Sequence, residues 1–237
     1  MLKEHSEKIP EHIAVIMDGN RRWAKKKNLP TKMGHREGAL RVTDLVRNCA
    51  DIGVKYLSVY AFSTENWNRD KKEIDYLMTL LMEFVIKELN NLHKNDVKIT
   101  MMGNIDDLPE KTRKEVQRSV ELTKNNKTLH LNIALSYGSR NEIIRAVKNI
   151  INDYENNEIN IEEINEESFN KYLFTNDMPD PDLLIRTSGE VRLSNFLLYQ
   201  LAYTEFYFTD VLWPDFNKEE LLKSIESYQQ RKRRYGN

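Results

Sequence analysis

The sequence predicts an α/β fold, one domain with a central, mostly parallel sheet flanked by helices. Three observations carry this. Short apolar runs recur along the chain, amphipathic stretches of helical spacing lie between them, and Gly, Asn and Pro mark many of the joins. The first run, His12–Asp18 (HIAVIMD), is largely apolar up to a final carboxylate, as a strand buried on both faces would be. Gly19 and Asn20 suit the turn that follows, because both tolerate positive φ, and a helix then opens with Arg21 and Arg22. Leu40, Val42, Leu45, Val46, Cys49 and Ile52 place a helix over Gly38–Ile52. Lys55–Ser63, rich in aromatic and β-branched residues, is the second strand, and Glu73–Leu92 is a long helix apolar over much of its circumference.

Val97–Met102, His130–Ser136, Leu183–Thr187 and Glu205–Thr209 read as further strands. Pro109–Thr123, Ser139–Tyr154 and Lys218–Arg231 read as the remaining helices, with Asp106 and Asp107 as a cap before Pro109. Asp153–Glu167 carries seven acidic and no basic residues and reads as a solvated surface loop or helix edge. There is no internal repeat and no linker rich in Pro, Gly or Ser, so residues 1–237 are read as one domain, with an N-terminal arm over 1–10 and a C-terminal tail over 231–237.

Composition narrows the function. The chain has 237 residues, 40% hydrophobic and 31% charged, which is the make-up of a soluble globular protein. A formal net charge of −1 supplies no global field toward nucleic acid or an anionic membrane, so phosphate affinity has to come from local clusters of Lys and Arg. Cys49 stands alone, which excludes an intrachain disulfide and a cysteine-based zinc site. No apolar run reaches the ~18 residues of a membrane span, and the first residues lack the apolar core of a signal peptide, so a cytoplasmic protein is expected. The glycine loops of nucleotide-binding proteins and the H-E-x-x-H zinc motif are missing too.

Chemistry concentrates in three segments. In Met17–Lys27 an apolar strand ends at Asp18 and a helix with Arg21, Arg22 and Trp23 follows. A helix N-terminus at the carboxyl edge of a sheet suits phosphate, and Mg²⁺ would reconcile Asp18 with that anion. A helix cap at Asp18 with a solvated basic face explains the same residues. Ala61–Arg69 puts Ser63, Thr64, Glu65, Asn66, Trp67 and Arg69 on one loop after the second strand, and Glu65–Asn66 capping the next helix is the alternative. In Asp180–Phe206, Arg186 emerges at a strand end, Gly189 turns the chain, and Arg192 and Ser194 follow, as a diphosphate cradle would require. Glu205 sits among aromatic residues and needs a cation or an arginine. A structural Arg–Glu pair meets that need as well as a metal does.

Taken in order, HIAVIMDGNRRWA, GHREG (Gly34–Gly38), YAFSTENWNR and DLLIRTSGEVRLSNFLLYQLAYTEFYFTDVLWPDF resemble the cis-prenyltransferase family, and most closely its members that make undecaprenyl diphosphate. The resemblance spans most of the chain. It implies a homodimer that adds isopentenyl diphosphate repeatedly to an allylic diphosphate, farnesyl diphosphate in most relatives, with Mg²⁺ as cofactor. The product is a long-chain lipid-carrier precursor for cell-wall synthesis, handed to the membrane through at most peripheral contact. Asp18 matches the family's metal and diphosphate aspartate. Gly19, Asn20, Arg22 and His35 match positions around the allylic diphosphate, and the Ser63–Arg69 loop matches one that orders over substrate. Arg186, Arg192 and Ser194 match the cradle for isopentenyl diphosphate, and Glu205 a second metal-linked carboxylate. Arg234-Tyr-Gly236 matches a terminal motif that reaches the partner subunit's site.

The same resemblance implies an apolar tunnel walled by Gly38–Ile52, Glu73–Leu92, Leu57 and Val59, with Met78 and Met82 lining it, although apolar helix faces usually make core. Two positions depart from the pattern. Thr31 follows Pro30 where many relatives have Arg, leaving Lys32 as the nearest cation, and Val191 stands where some have His. A short- or medium-chain synthase shares these residues. A non-catalytic scaffold subunit would characteristically lack Asp18.

Overall fold

The computed structural model describes residues 9–231. Six strands form one sheet, β1 (His12–Ile16), β2 (Tyr56–Ser63), β3 (Val97–Met102), β4 (Leu129–Tyr137), β5 (Leu183–Arg186) and β6 (Glu205–Phe208), in the order β3-β4-β2-β1-β5-β6. Every neighbouring pair is parallel. The sequence cause is visible in β1 and β4, whose residues are buried throughout. The helices are α1 (Asn20–Lys26), α2 (Thr31–Ile52), α3 (Lys71–Lys94), α4 (Glu110–Thr123), α5 (Ser139–Glu155), α6 (Glu166–Asn170) and α7 (Lys218–Gln229).

One face of the sheet, with Ile13, Val15, Leu57, Val59 and Ile133, packs against Val42, Leu45 and Val46 of α2, Met78 and Leu89 of α3, Val116 of α4 and Leu221 and Ile225 of α7. The other face, with Ala14, Ile16, Ala134 and Leu184, is covered by Phe196, Leu197 and Leu201 from the segment after β5. In the register, Ile16 pairs with Tyr60 on one side and Arg186 on the other. Asp18, Ser63 and Arg186 therefore share the carboxyl edge of the sheet. The chain leaves β1 for β2 on one side and returns through β5 on the other, and a crevice opens where the order reverses.

Several expectations are corrected. α2 begins at Thr31, about two turns before the apolar spacing does, because Pro30 starts it at φ −57° and its first turns are polar. Gly19 takes the left-handed turn at φ 114°, whereas Asn20 is already helical. Asp18 does not cap α1, which has no side-chain cap among the described residues. Asp70, not Glu65 or Asn66, caps α3, accepting from the Lys72 N–H. Asp106 and Asp107 do not cap α4 either. They lie in a short 3₁₀ turn, Ile105–Asp107, and Asp107 binds Ser136 and Asn104. The acidic stretch 153–167 is largely exposed, as expected. Among the described residues no helix is long and apolar enough to cross a membrane. Most of the N-terminal arm and of the C-terminal tail, including Arg234-Tyr-Gly236, lies outside the described residues.

Candidate active site

Asp18 sits two residues past β1, and Thr187 fixes its backbone: the hydroxyl accepts from the Asp18 N–H at 3.0 Å and donates to the Asp18 carbonyl at 2.6 Å. The carboxylate meets two arginines. Arg186 Nη2 donates to Oδ2 at 2.9 Å, and Arg22 Nη2 lies 3.3 Å from Oδ1. Arg186 is 3% exposed and donates as well to the Arg192 carbonyl and, at 2.8 Å, to Ser194 Oγ. Its Nε has no hydrogen-bond partner among the described residues. Arg22 reaches from α1 to the loop after β5, binding Ser188 Oγ at 2.5 Å, the Ser188 carbonyl at 2.9 Å and Glu190 at 2.9 Å. Glu190 is also paired with Arg192, whose hydrogen bond lowers the Glu190 pKa. That loop runs through left-handed residues, Ser188 (φ 77°), Gly189, Ser194 (φ 49°) and Asn195 (φ 63°), a concentration of backbone strain typical of functional loops.

The 3₁₀ turn Thr64–Asn68 follows β2. With three residues per turn, Ser63, Asn66 and Arg69 fall on one face, and all three line a cavity. The Ser63 N–H donates to Asn66 Oδ1 at 3.2 Å. Arg69 pairs with Glu73 at 3.1 Å, and the same carboxylate oxygen is 3.3 Å from His35 Nε2. Burial lowers the His35 pKa more than Glu73 raises it, so the ring is neutral at neutral pH. The sequence reading missed Glu73. Its signal is the four-residue spacing from Arg69 on a helix, which pairs side chains.

The cavity has a volume of about 530 Å³, within the ~300–1,000 Å³ range of small-ligand sites. Its lining includes the polar residues Asp18, Asn20, Arg21, Arg22 and His35, together with Ser194 and with Arg186, which is 2.9 Å from Asp18. The same lining includes the apolar residues Val42, Val59, Leu77, Leu81, Phe84 and Leu135. Asn20 Oδ1 has no partner among the described residues and faces Gly38, where a Cβ would stand 2.3 Å away. Of the residues expected to wall a tunnel, Met78 and Val59 line this cavity, whereas Leu57 and Met82 stand outside the lining.

Other expected residues stand outside that lining too. The indole of Trp23 is buried and donates to Asp215 at 2.7 Å, and Trp67 points toward Ser136. Thr64 donates to Glu65, which accepts from Asn195 at 3.0 Å. Lys32 is exposed, and Val191 is 72% exposed. Glu205 is the largest departure. It begins β6, beside Leu183 at the start of β5, so within the chain it lies at the opposite edge of the sheet from Asp18. There it pairs with Arg231 at 2.6 Å, the structural Arg–Glu alternative.

Among the described residues no group of three or more His, Cys, Asp or Glu side chains could hold a metal by itself. Asp18 offers one partly exposed carboxylate in the cavity lining, 2.9 Å from Arg186. A single carboxylate completed by phosphate oxygens and water is how Mg²⁺ is held with a substrate, so this donor set fits that ion and not a closed protein-only site.

Residues 16–236 match the sequence model of a family described as putative undecaprenyl diphosphate synthase. The chain is similar to an isoprenyl transferase of Clostridium perfringens, 51% identical over 97% of this chain and 91% of the other. It is also similar to the (2E,6E)-farnesyl-diphosphate-specific ditrans,polycis-undecaprenyl-diphosphate synthase of Micrococcus luteus, 54% identical over 96% and 92%. Among solved structures, lavandulyl diphosphate synthase from Lavandula x intermedia, in complex with dimethylallyl diphosphate, superposes with a TM-score of 0.94 at 37% identity, covering 96% and 98% of the two chains.

Proposed function

The chain belongs to the undecaprenyl diphosphate synthase family of cis-prenyltransferases, and from that premise we propose how its site works. It is an isoprenyl transferase that condenses isopentenyl diphosphate with farnesyl diphosphate, repeatedly, to undecaprenyl diphosphate. The observation that carries this is Asp18 held between Arg22 and Arg186 in the lining of a cavity that combines charged and apolar residues. A diphosphate suits the charged residues and a prenyl chain the apolar ones.

In each round the allylic C–O bond breaks and its electron pair leaves with the diphosphate. The double bond of isopentenyl diphosphate then attacks the allylic carbon, and the cation this leaves on the added unit passes a proton from its C2 to a base such as a diphosphate oxygen, which restores a double bond. When bound, Mg²⁺ at Asp18 would neutralise charge growing on the leaving oxygens. Arg22, Asn20 and the neutral His35 orient the allylic diphosphate. Arg186, Ser194 and Arg192 orient the second diphosphate, and their preorganised donors favour the charge-separated state. Val42, Leu81 and Phe84 keep water from the allylic cation. Glu205 takes no part in this set within one chain.

The reading includes a second copy of the chain. On α5, Ile144, Val147, Ile151 and Tyr154 are 56%, 41%, 51% and 48% exposed at spacings of one helical face. Such an apolar stripe suits the matching stripe of a partner subunit. Sedimentation should give a dimer that Ile151→Lys converts to monomer, and a monomeric parent protein would remove this part.

The likeness to lavandulyl diphosphate synthase keeps a short-chain product as the second reading. Purified protein with farnesyl diphosphate, isopentenyl diphosphate and Mg²⁺ decides between them. Long-chain product by chromatography is expected. Exclusively short product overturns the chain length, and no incorporation revives a scaffold subunit.

A further inference from the structure

We propose that Asp107 is a positioning residue of this transferase: through Ser136 and Trp67 it sets the 64–68 turn so that Asn66 and Arg69 face the cavity. The proposal rests on reading that cavity as the transferase site. Asp107 stands outside the cavity lining, so any effect it has on the reaction passes through other residues.

The chain of contacts has a fixed direction. Trp67 Nε1–H donates to Ser136 Oγ at 2.9 Å, Ser136 Oγ donates to Asp107 Oδ2 at 2.6 Å, and Asn104 Nδ2 donates to Asp107 Oδ1 at 2.7 Å. An indole can only donate and a carboxylate can only accept, so the group between them has to do both, as a hydroxyl does. Ser136 is 2% exposed, which makes an unmet partner costly there.

The segment bearing Asp107 is built to reach this point. Gly103 ends β3 at φ 116°, and a Cβ on it would stand 2.0 Å from the Leu135 carbonyl oxygen. Only glycine lets the chain cross so close to β4. The next residue's N–H then donates to the Ser136 carbonyl at 3.2 Å, which seats the 105–107 turn against the end of β4.

The link to function is the phase of the 3₁₀ turn. Ser63, Asn66 and Arg69 share the cavity face, and Trp67 lies a third of a turn away. Its ring also packs edge-on against Phe62 at 4.9 Å. The Ser63–Asn66 cap and the Asn195–Glu65 hydrogen bond hold the turn at its start, and the indole adds an anchor at Trp67 that limits its rotation and so helps aim Asn66 and Arg69.

The test uses the full chain with four variants, Asp107→Ala, Asp107→Asn, Ser136→Ala and Trp67→Phe. Each is assayed for transfer, and for quenching of tryptophan emission by acrylamide without substrate. The emission missing from Trp67→Phe identifies that indole's share. Asp107→Ala and Ser136→Ala should make the Trp67 share more quenchable and lower kcat/KM about tenfold, mainly through KM, the size of one lost hydrogen bond. Asp107→Asn keeps an acceptor for the Ser136 hydroxyl and should recover most of the loss. Unchanged quenching overturns the anchor. Increased quenching with kcat/KM within twofold of the parent overturns the positioning role, and so does an Asn variant as impaired as the Ala variant. If Asp107→Ala does not fold, Ser136→Ala and Asp107→Asn carry the same decision. A parent protein without transfer activity sinks the transferase reading and the positioning role with it, whereas the quenching arm still decides whether the anchor exists.

Discussion

The two edges of the sheet each carry an arginine–carboxylate pair, and they are put to different ends. At the carboxyl edge Asp18 is shared by Arg186 and Arg22, Arg22 is shared in turn by Ser188 and Glu190, and Arg186 Nε has no partner among the described residues. One donor of the pair is thus left over there, and both of its residues line a cavity. At the amino edge Glu205 takes one arm of Arg231 and the Phe206 carbonyl takes the other at 2.7 Å. Beside it Asp182 accepts from the N–H groups of Glu11 and His12, and His12 lies 2.7 Å from the Pro179 carbonyl and 2.8 Å from the Ser58 hydroxyl. Each group at that edge is answered by a neighbour. An ion pair alone does not make a site; a pair that lines a cavity of mixed polar and apolar walls is a candidate for one. Substitutions at the carboxyl edge should therefore act on turnover, and those at the amino edge on stability.

Asp18→Asn tests this most severely. The amide keeps volume and an acceptor for Arg186 but loses the charge that would hold Mg²⁺. We expect kcat to fall at least about a thousandfold, roughly 4 kcal/mol, and the urea midpoint to fall by less than it would with Ala, because Arg186 loses its counter-charge but keeps an acceptor. Near-normal turnover would remove Asp18 from its role. Asp18→Ala is the poorer probe, because it also strands the buried Arg186 guanidinium.

The largest effect at the amino edge should come with acid. Burial pushes the His12 pKa down from 6.5 to about 4, against the raising influence of Pro179 and Asp182. The carbonyl of Pro179 can only accept, so Nδ1 carries the proton and Nε2 accepts from Ser58. The folded state thus prefers neutral His12, while the unfolded chain takes up a proton near pH 6.5. Its stability contribution is full above that pH and is lost as pH falls toward about 4, by about 3 kcal/mol at the lower end. Burial lowers His130 to about 4 as well, so it adds to the same window. Urea unfolding of His12→Gln between pH 7 and 4 should show a shallower decline than the parent. An equal decline would mean that His12 is not the titrating group.

Arg192→Ala should have a smaller effect, confined to binding. Its side chain is 59% exposed, so the fold should be indifferent to its loss. The KM for isopentenyl diphosphate should rise about tenfold, roughly 1.4 kcal/mol, and more than the KM for the allylic starter. The reverse order would mean that the two diphosphate sites have been exchanged.

What the sequence disclosed follows the same division. Strands were legible because short runs dominated by apolar residues, such as IAVI and LHLNIAL, have few alternatives, and Asp18 and Arg186 were legible because each ends such a run. The start of α2 was not, because Lys32, His35 and Arg36 hide a helix whose apolar stripe begins later. Trp23 and Trp67 were expected at the substrate, yet the direction of a side chain depends on its phase in the helix or turn that carries it. Glu73 was hidden inside a helix read only for its apolar face. Glu205 was placed with the metal by the family resemblance, and the strand reading over Glu205–Thr209 leaves open whether that strand runs parallel to β5 or against it. Register with β5 decides that, and register is a property of two strands.

The smallest predicted effect is at Glu205 itself. Its side chain is 28% exposed and that of Arg231 is 37% exposed, so water screens the pair and little net stability is expected from their attraction. Glu205→Gln, Arg231→Met and the double variant form a cycle whose coupling energy in urea unfolding should be about 1 kcal/mol or less. A larger coupling would show that the Phe206 carbonyl and the edge of β6 shield the pair more than their exposure suggests. The cycle also carries a comparison that could break the contrast between the two edges. If the Mg²⁺ concentration needed for half-maximal transfer rises in Glu205→Gln but not in Arg231→Met, the carboxylate serves a metal after all. Since Glu205 lies at the far edge from Asp18 in its own chain, that metal would have to be one approached from a second copy.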